Sequence, residues 1–279
     1  MYSFSLLSKL SFSTVQEEVF QIRSKQPQIQ EQKQVLRELS SFLDLTSLEG
    51  SDNQEKINKL CRKAIFMGEK GLPLPAAVCV YPPFIATAKK ALQGTPIKVA
   101  TTAAAFPSGQ MPISIKLEEI RYALQEGADE IDVVISRGTF LEKDFNMVYR
   151  EIDAMREITR EKTLKVILET GELQTPENIA KASEIAIEAG ADFIKTSTGK
   201  IQPAATEESV FIMLKVIHEF YTKTGKQIGI KAAGGIGDPE KALNYYWLVK
   251  EVLGVNWLTP SLFRLGASRL ADRLLEIVL

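Results

Sequence analysis

The chain has 279 residues, 45% of them hydrophobic and 25% charged, enough apolar material for two small domains or one large α/β barrel. Its 34 Lys+Arg against 35 Asp+Glu leave a formal charge of -1, so no basic field points to nucleic acid or to an anionic membrane. Two cysteines, Cys61 and Cys79, cannot make a disulfide framework, and the single histidine, His218, cannot supply the imidazoles of a metal-dependent aldolase or hydrolase.

Residues 1–39 read as an appendage. Leu6-Leu7-Ser8-Lys9-Leu10 is too broken by polar residues for a signal-peptide core, and no apolar run approaches the roughly 20 residues of a membrane span. A reduced, cytoplasmic setting is therefore expected. Val15, Val19, Ile22, Ile29, Val35, Leu36 and Leu39 recur at helical spacing through a Gln-, Glu- and Lys-rich stretch. That pattern predicts one or two helices packed on the body or on another subunit, as in a homodimer.

The body, 40–279, alternates strand and helix. A first strand is expected at 41–43, opening into Asp44-Leu45-Thr46, and a helix from a cap near Asp52 to Gly68. Ala76-Ala77-Val78-Cys79-Val80 is a second strand, in which Cys79 reads as a small core residue; it stops at Tyr81-Pro82-Pro83, whose prolines open a helix ending near Gln93. Strands at 97–101, 130–135, 164–168, 193–196, 228–232 and 262–265 then alternate with helices at 115–126, 141–159, 176–189, 206–220, 239–252 and 268–278. His218 falls in one of those helices and reads as a surface residue. Gly127, Gly190 and Gly254 each end a helix, about two βα units apart. Eight strands, near-continuous in apolar character, with eight helices and no composition break predict a closed (β/α)8 TIM barrel. An open doubly wound sheet is the other arrangement the pattern allows.

Three strand residues are out of character. Asp132 stands in Glu130-Ile131-Asp132-Val133-Val134, Lys195 in Phe193-Ile194-Lys195, and Lys231 in Ile228-Gly229-Ile230-Lys231. Any one alone would read as half of a buried ion pair. Two lysines and one aspartate cannot pair evenly, and the surplus positive charge disfavours protonation of the more buried amine. An unperturbed lysine, with a pKa of about 10.4, is neutral in only about one molecule in 10³ to 10⁴ at pH 7. A buried lysine beside a second cation is how a protein obtains an amine able to form a Schiff base with a carbonyl. That chemistry calls for no cofactor and no metal.

The loops after the last strands carry a second signal. Gly234-Gly235-Ile236-Gly237 leads into a helix capped by Asp238, and Gly266-Ala267-Ser268 opens another, so backbone N–H groups face both loops. Thr198-Gly199-Lys200 adds a cation. Double glycines also serve ordinary tight turns, but two such loops together predict a phosphate-bearing small molecule as ligand.

The chain resembles the deoxyribose-phosphate aldolases of the DeoC type from about residue 40 to 278. The matching pieces are Asp44-Leu45-Thr46, Val78-Cys79-Val80-Tyr81-Pro82, Glu130 to Val134, Lys165 to Leu173, Asp192 to Lys200, Gly229 to Gly235 and Arg264 to Ser268. The resemblance implies a class I aldolase that reversibly cleaves 2-deoxy-D-ribose 5-phosphate to D-glyceraldehyde 3-phosphate and acetaldehyde. It assigns the Schiff-base role to Lys195, the pKa-depressing role to Lys231 and the proton relay to Asp132. It assigns the phosphosugar site to Thr198, Gly199, Lys200, Gly234, Gly235, Gly266 and Ser268. Three positions depart from that family pattern: Ala104-Ala105, Gly237 where an arginine is common, and Arg269 where a second serine is common. Another lysine-dependent phosphosugar aldolase, or a non-catalytic phosphosugar-binding homologue, would share most of these residues.

Overall fold

A 3-10 turn, Leu39–Phe42, delivers the chain into the first of eight strands, β1 (Leu43–Thr46). The structure, a computed structural model describing residues 11–278, closes these strands into a parallel barrel in sequence order. The others are β2 (Ala77–Val80), β3 (Lys98–Ala103), β4 (Glu130–Val134), β5 (Thr163–Ile167), β6 (Phe193–Lys195), β7 (Gly229–Ala233) and β8 (Phe263–Ala267). The closed barrel is the architecture expected; the open sheet is not what forms.

Twelve helices are described. Two precede the barrel, α1 (Phe12–Ser24) and α2 (Lys33–Glu38), followed by α3 (Gln54–Glu69), α4 (Ile85–Ala91) and α5 (Ile113–Gln125). Then come α6 (Arg137–Leu141), α7 (Phe145–Thr159), α8 (Thr170–Leu173), α9 (Pro176–Glu188), α10 (Glu207–Thr224), α11 (Pro239–Leu253) and α12 (Leu270–Val278). Cap chemistry explains several starts. Thr175 accepts from the Asn178 amide with Pro176 in the first turn of α9, and Thr206 and Ser209 form a reciprocal box at α10.

Three local expectations need correction. The first strand begins at Leu43, because 39–42 coil as a 3-10 turn, so Asp44 is a paired strand residue opposite Ala77 and Gly266. The helix expected over 141–159 is two, α6 and α7. Lys143 turns into the left-handed region and Asp144 caps α7 by accepting from the Met147 amide at 3.0 Å. Finally, α8 forms where a loop was expected, entered by Glu169 at φ 57°.

The main apolar core lies between sheet and helices. Alternation along β4 puts Ile131 and Val133 into it and turns Glu130 and Asp132 inward. The barrel interior is correspondingly unusual. A small apolar cluster of Leu48, Ala77, Cys79 and Ala100 occupies part of it, and charged side chains fill much of the rest. Cys79 and Cys61 are buried thiols, and His218 is exposed on α10.

The described residues ahead of the barrel pack on the body of their own chain. Val15 and Val19 bury against α10 and α11, and Trp247 of α11 donates its indole N–H to Gln32 at 2.7 Å. The Leu6–Leu10 stretch lies outside the described residues. No described helix is long and apolar enough to cross a membrane.

Candidate active site

Strand register brings the three anomalous charges together. Lys195 on β6 pairs with Lys231 on β7, and Asp132 lies on β4 with its side chain aimed at both. Lys195 Nζ donates to Asp132 Oδ2 at 2.7 Å, and Lys231 Nζ donates to the same oxygen at 2.8 Å. The two amines can therefore be no farther apart than those bonds laid end to end. All three residues are buried.

The cluster is larger than the sequence suggested. Lys165 on β5 donates to Asp132 Oδ1 at 3.0 Å and to Glu130. Arg264 on β8 reaches Asp44 Oδ1 at 2.6 Å and Glu130 Oε1 at 2.8 Å. Asp44 Oδ2 is ion-paired with Lys231. Lys165, Lys195, Lys231 and Arg264 thus stand against Asp44, Glu130 and Asp132, one positive charge too many. Lys165, Glu130 and Arg264 carried the same signal as the other three, a formal charge inside an apolar strand. Asp44, expected just past the end of the first strand, is a paired residue within β1.

The surplus falls on Lys195. Burial is the largest influence and depresses its pKa; the Lys231 charge adds to that, and Asp132 alone cannot offset them. Burial also opposes the Lys231 charge, but Asp132 and Asp44 together outweigh it and raise its pKa. Lys231 therefore stays an ammonium, and so does Lys165, held above the ordinary lysine value by Asp132 and Glu130 against burial. Burial would raise the Asp132 carboxyl, but Lys165, Lys195 and Lys231 hold it well below the usual range. If Lys195 is the amine that releases its proton, the buried charges cancel.

A cavity of about 330 Å³ opens onto this cluster at the C-terminal ends of the strands. Lys195 lines it, and so do Thr198, Gly199, Lys200, Gly234, Gly235, Gly266 and Ser268, the binding residues expected from the sequence. Two of its glycines are sterically required. A Cβ on Gly234, at φ 89°, would stand 2.6 Å from Ala204 Cβ, and one on Gly266 would press on Ala233 and on the Lys231 stem at 3.2 Å.

The cations at the far end are differently disposed than expected. Lys200 Nζ is paired with Glu49 at 3.0 Å, and Asp238 fills the first turn of α11 with its own carboxylate, accepting from Glu240 at 2.7 Å. Arg269 is exposed at the cavity wall and its guanidinium has no partner among the described residues. Gly237 lies beside it, and a Cβ there would meet Arg269 Nε only at ordinary contact distance, 3.8 Å. No group of three or more His, Cys, Asp or Glu among the described residues is arranged to hold a metal ion.

Comparison with known proteins gives the family. Residues 40–245 match the model of the DeoC/LacD family aldolases. The Homo sapiens deoxyribose-phosphate aldolase is 48% identical over 243 residues, 82% of this chain and 76% of that one. The Bos taurus enzyme of the same name is 43% identical over 264 residues, 90% and 83% of the two chains. The crystal structure of a putative deoxyribose-phosphate aldolase from Coccidioides immitis matches with a TM-score of 0.75 at 27% identity, covering 98% of this chain and all of that one.

Proposed function

The chain belongs to the DeoC/LacD family of aldolases, and on that premise we propose that it reversibly cleaves 2-deoxy-D-ribose 5-phosphate to D-glyceraldehyde 3-phosphate and acetaldehyde through a Schiff base on Lys195. The observation that carries this reading is the single carboxylate oxygen shared by Lys195 and Lys231. It leaves the first amine as the group best able to be neutral and nucleophilic.

The neutral Lys195 Nζ adds to the C1 aldehyde of the open-chain sugar. Asp132, with Lys231 beside it, carries the protons needed to expel the carbinolamine oxygen as water. The resulting iminium accepts the electron pair of the C2–C3 bond as that bond breaks. The C3 hydroxyl gives up its proton, glyceraldehyde 3-phosphate leaves, and an enamine remains on the lysine. Protonation at C2 and hydrolysis then release acetaldehyde and restore the amine. The phosphate, held between the loops after β6, β7 and β8, orients the sugar so that its binding energy aids the chemical step.

Residues 40–279 are the catalytic barrel in this reading and 1–39 a helical extension. A reducing cytoplasmic setting suits the two buried free thiols. The decisive experiment is borohydride reduction in the presence of acetaldehyde, followed by mass mapping. A reduced adduct on Lys195, absent in Lys195→Ala, supports the assignment, and an active protein without that adduct defeats it.

A further inference from the structure

Glu169 is a fully buried carboxylate outside the charge cluster and outside the cavity. It sits in the left-handed region at φ 57° and ψ 60°, a conformation a non-glycine residue keeps only where its surroundings impose it. Its partners supply the reason. Glu169 Oε1 accepts from the Thr198 amide at 3.2 Å and Oε2 accepts from the Thr198 hydroxyl at 2.5 Å. Oε2 also accepts from Arg137 Nη1 at 3.2 Å. The same guanidinium donates to the carbonyl oxygens of Pro107 and Ser108 at 3.1 and 3.0 Å. One buried carboxylate–guanidinium pair therefore ties together the loops after β3, β4, β5 and β6.

The tie reaches the ligand cavity through Thr198. Because the Thr198 hydroxyl donates to Glu169, its lone pairs face the other way, and Oγ1 accepts from the Lys200 amide at 3.1 Å. Thr198, Gly199 and Lys200 line the cavity. We propose that Glu169 is a positioning residue that fixes the Thr198–Lys200 loop in the shape required for the phosphate end of the substrate. It touches no substrate and acts only through Thr198. The inference rests on the phosphosugar reading above.

A glutamine has one oxygen to accept with and an NH2 that cannot accept, so it cannot meet the Thr198 amide, the Thr198 hydroxyl and Arg137 together. In Glu169→Gln, kcat/KM for 2-deoxy-D-ribose 5-phosphate is expected to fall about tenfold, the low end for losing a hydrogen bond to a charged group. For unphosphorylated 2-deoxy-D-ribose it should stay within about twofold, since that sugar makes no use of the loop. Equal losses on both sugars, or none on either, would overturn the inference.

A second arm needs no variant. The charged groups facing Glu169 are Arg137 of α6 and Glu172 of α8; burial is the dominant influence and raises its pKa, Glu172 adds to that, and the Thr198 bonds and the Arg137 charge lower it without offsetting burial. As pH falls through that raised value the carboxyl is protonated and two donors lose their acceptor. The preference of the unaltered protein for the phosphorylated sugar should then fall more steeply than titration of the substrate's own phosphate monoester dictates, and Glu169→Gln should lack the extra fall. Identical pH dependence in both proteins also sinks the proposal. A protein that never cleaves the phosphosugar would instead count against the function itself.

Discussion

Lys195 and Lys231 lie opposite each other on adjacent strands and place both nitrogens on Asp132 Oδ2, at 2.7 and 2.8 Å. The two amines differ in what else they touch. Lys231 has the Asp44 carboxylate as well, whereas Lys195 has the open cavity. That asymmetry decides which of them holds its proton.

Replacing Lys231 with methionine removes the cation that competes for Asp132. Lys195 then keeps its proton to higher pH, and turnover at neutral pH should fall by about 10² to 10⁴, the range of a lost proton-transfer partner. In the unaltered protein kcat/KM should rise with pH through the depressed Lys195 value, because only the neutral amine attacks. In Lys231→Met that rise should move to more alkaline pH. A pH–rate profile measures both, and an unmoved profile would mean that Lys231 does not govern Lys195.

Charge counting gives a sharper test. Lys165→Met removes one of four cations, so three carboxylates are matched only when Lys195 is protonated. The variant should lose activity and about 3–5 kcal/mol of stability, as expected when one partner of a buried ion network is deleted. Adding Glu130→Gln restores the one-cation surplus and should recover activity and part of the stability. Urea unfolding and retro-aldol assays on the single and double variants check this; a double variant no better than the single refutes the counting.

At the far end of the cavity the cation without a partner among the described residues is Arg269. Arg269→Ser should raise KM for the phosphorylated sugar by about tenfold, the order of one charge-assisted hydrogen bond. Glu49→Gln should act oppositely and more weakly, lowering KM by about two- to fivefold, because the Lys200–Glu49 pair it breaks is partly exposed. Steady-state kinetics on both variants suffices, and a Glu49→Gln with raised KM would show that the pair aids binding instead.

Legibility in the sequence followed burial. Apolar runs separated by glycine-ended helices revealed the eight strands, because both faces of a barrel strand are covered. Lys195, Lys231 and Asp132 stood out for the same reason, as charges where water is excluded. Lys165, Glu130 and Arg264 were just as anomalous, yet what makes them one site is the register between strands far apart in the chain, Glu130 and Arg264 being 134 residues apart. Asp44 was legible as the end of the first strand, but its pairing with Lys231 and Arg264 is set by register across the barrel. The role of Glu169 rests on a backbone angle and three side-chain bonds, none of which leaves a mark in composition.

The loop after β3 offers a stability gain. Ala104 and Ala105 both have positive φ, 64° and 59°, where a Cβ costs about 1–2 kcal/mol. Ala105→Gly keeps the amide that donates to Glu119 Oε2 at 2.7 Å and should stabilise the fold by about 1 kcal/mol after glycine's added chain entropy. That corresponds to a rise of roughly 2–4 °C in Tm, readable by calorimetry. A lower Tm would mean that the loop is held by more than this bond.

The two oxygens of Asp132 are occupied by different neighbours, Oδ1 by Lys165 and Oδ2 by Lys195 and Lys231. An asparagine in that place would have to point its NH2 at one ammonium or the other, whichever way the amide were turned. The usual shape-preserving swap is therefore no neutral probe of this carboxylate. An amide at position 132 cannot serve all three lysines that donate to this carboxylate.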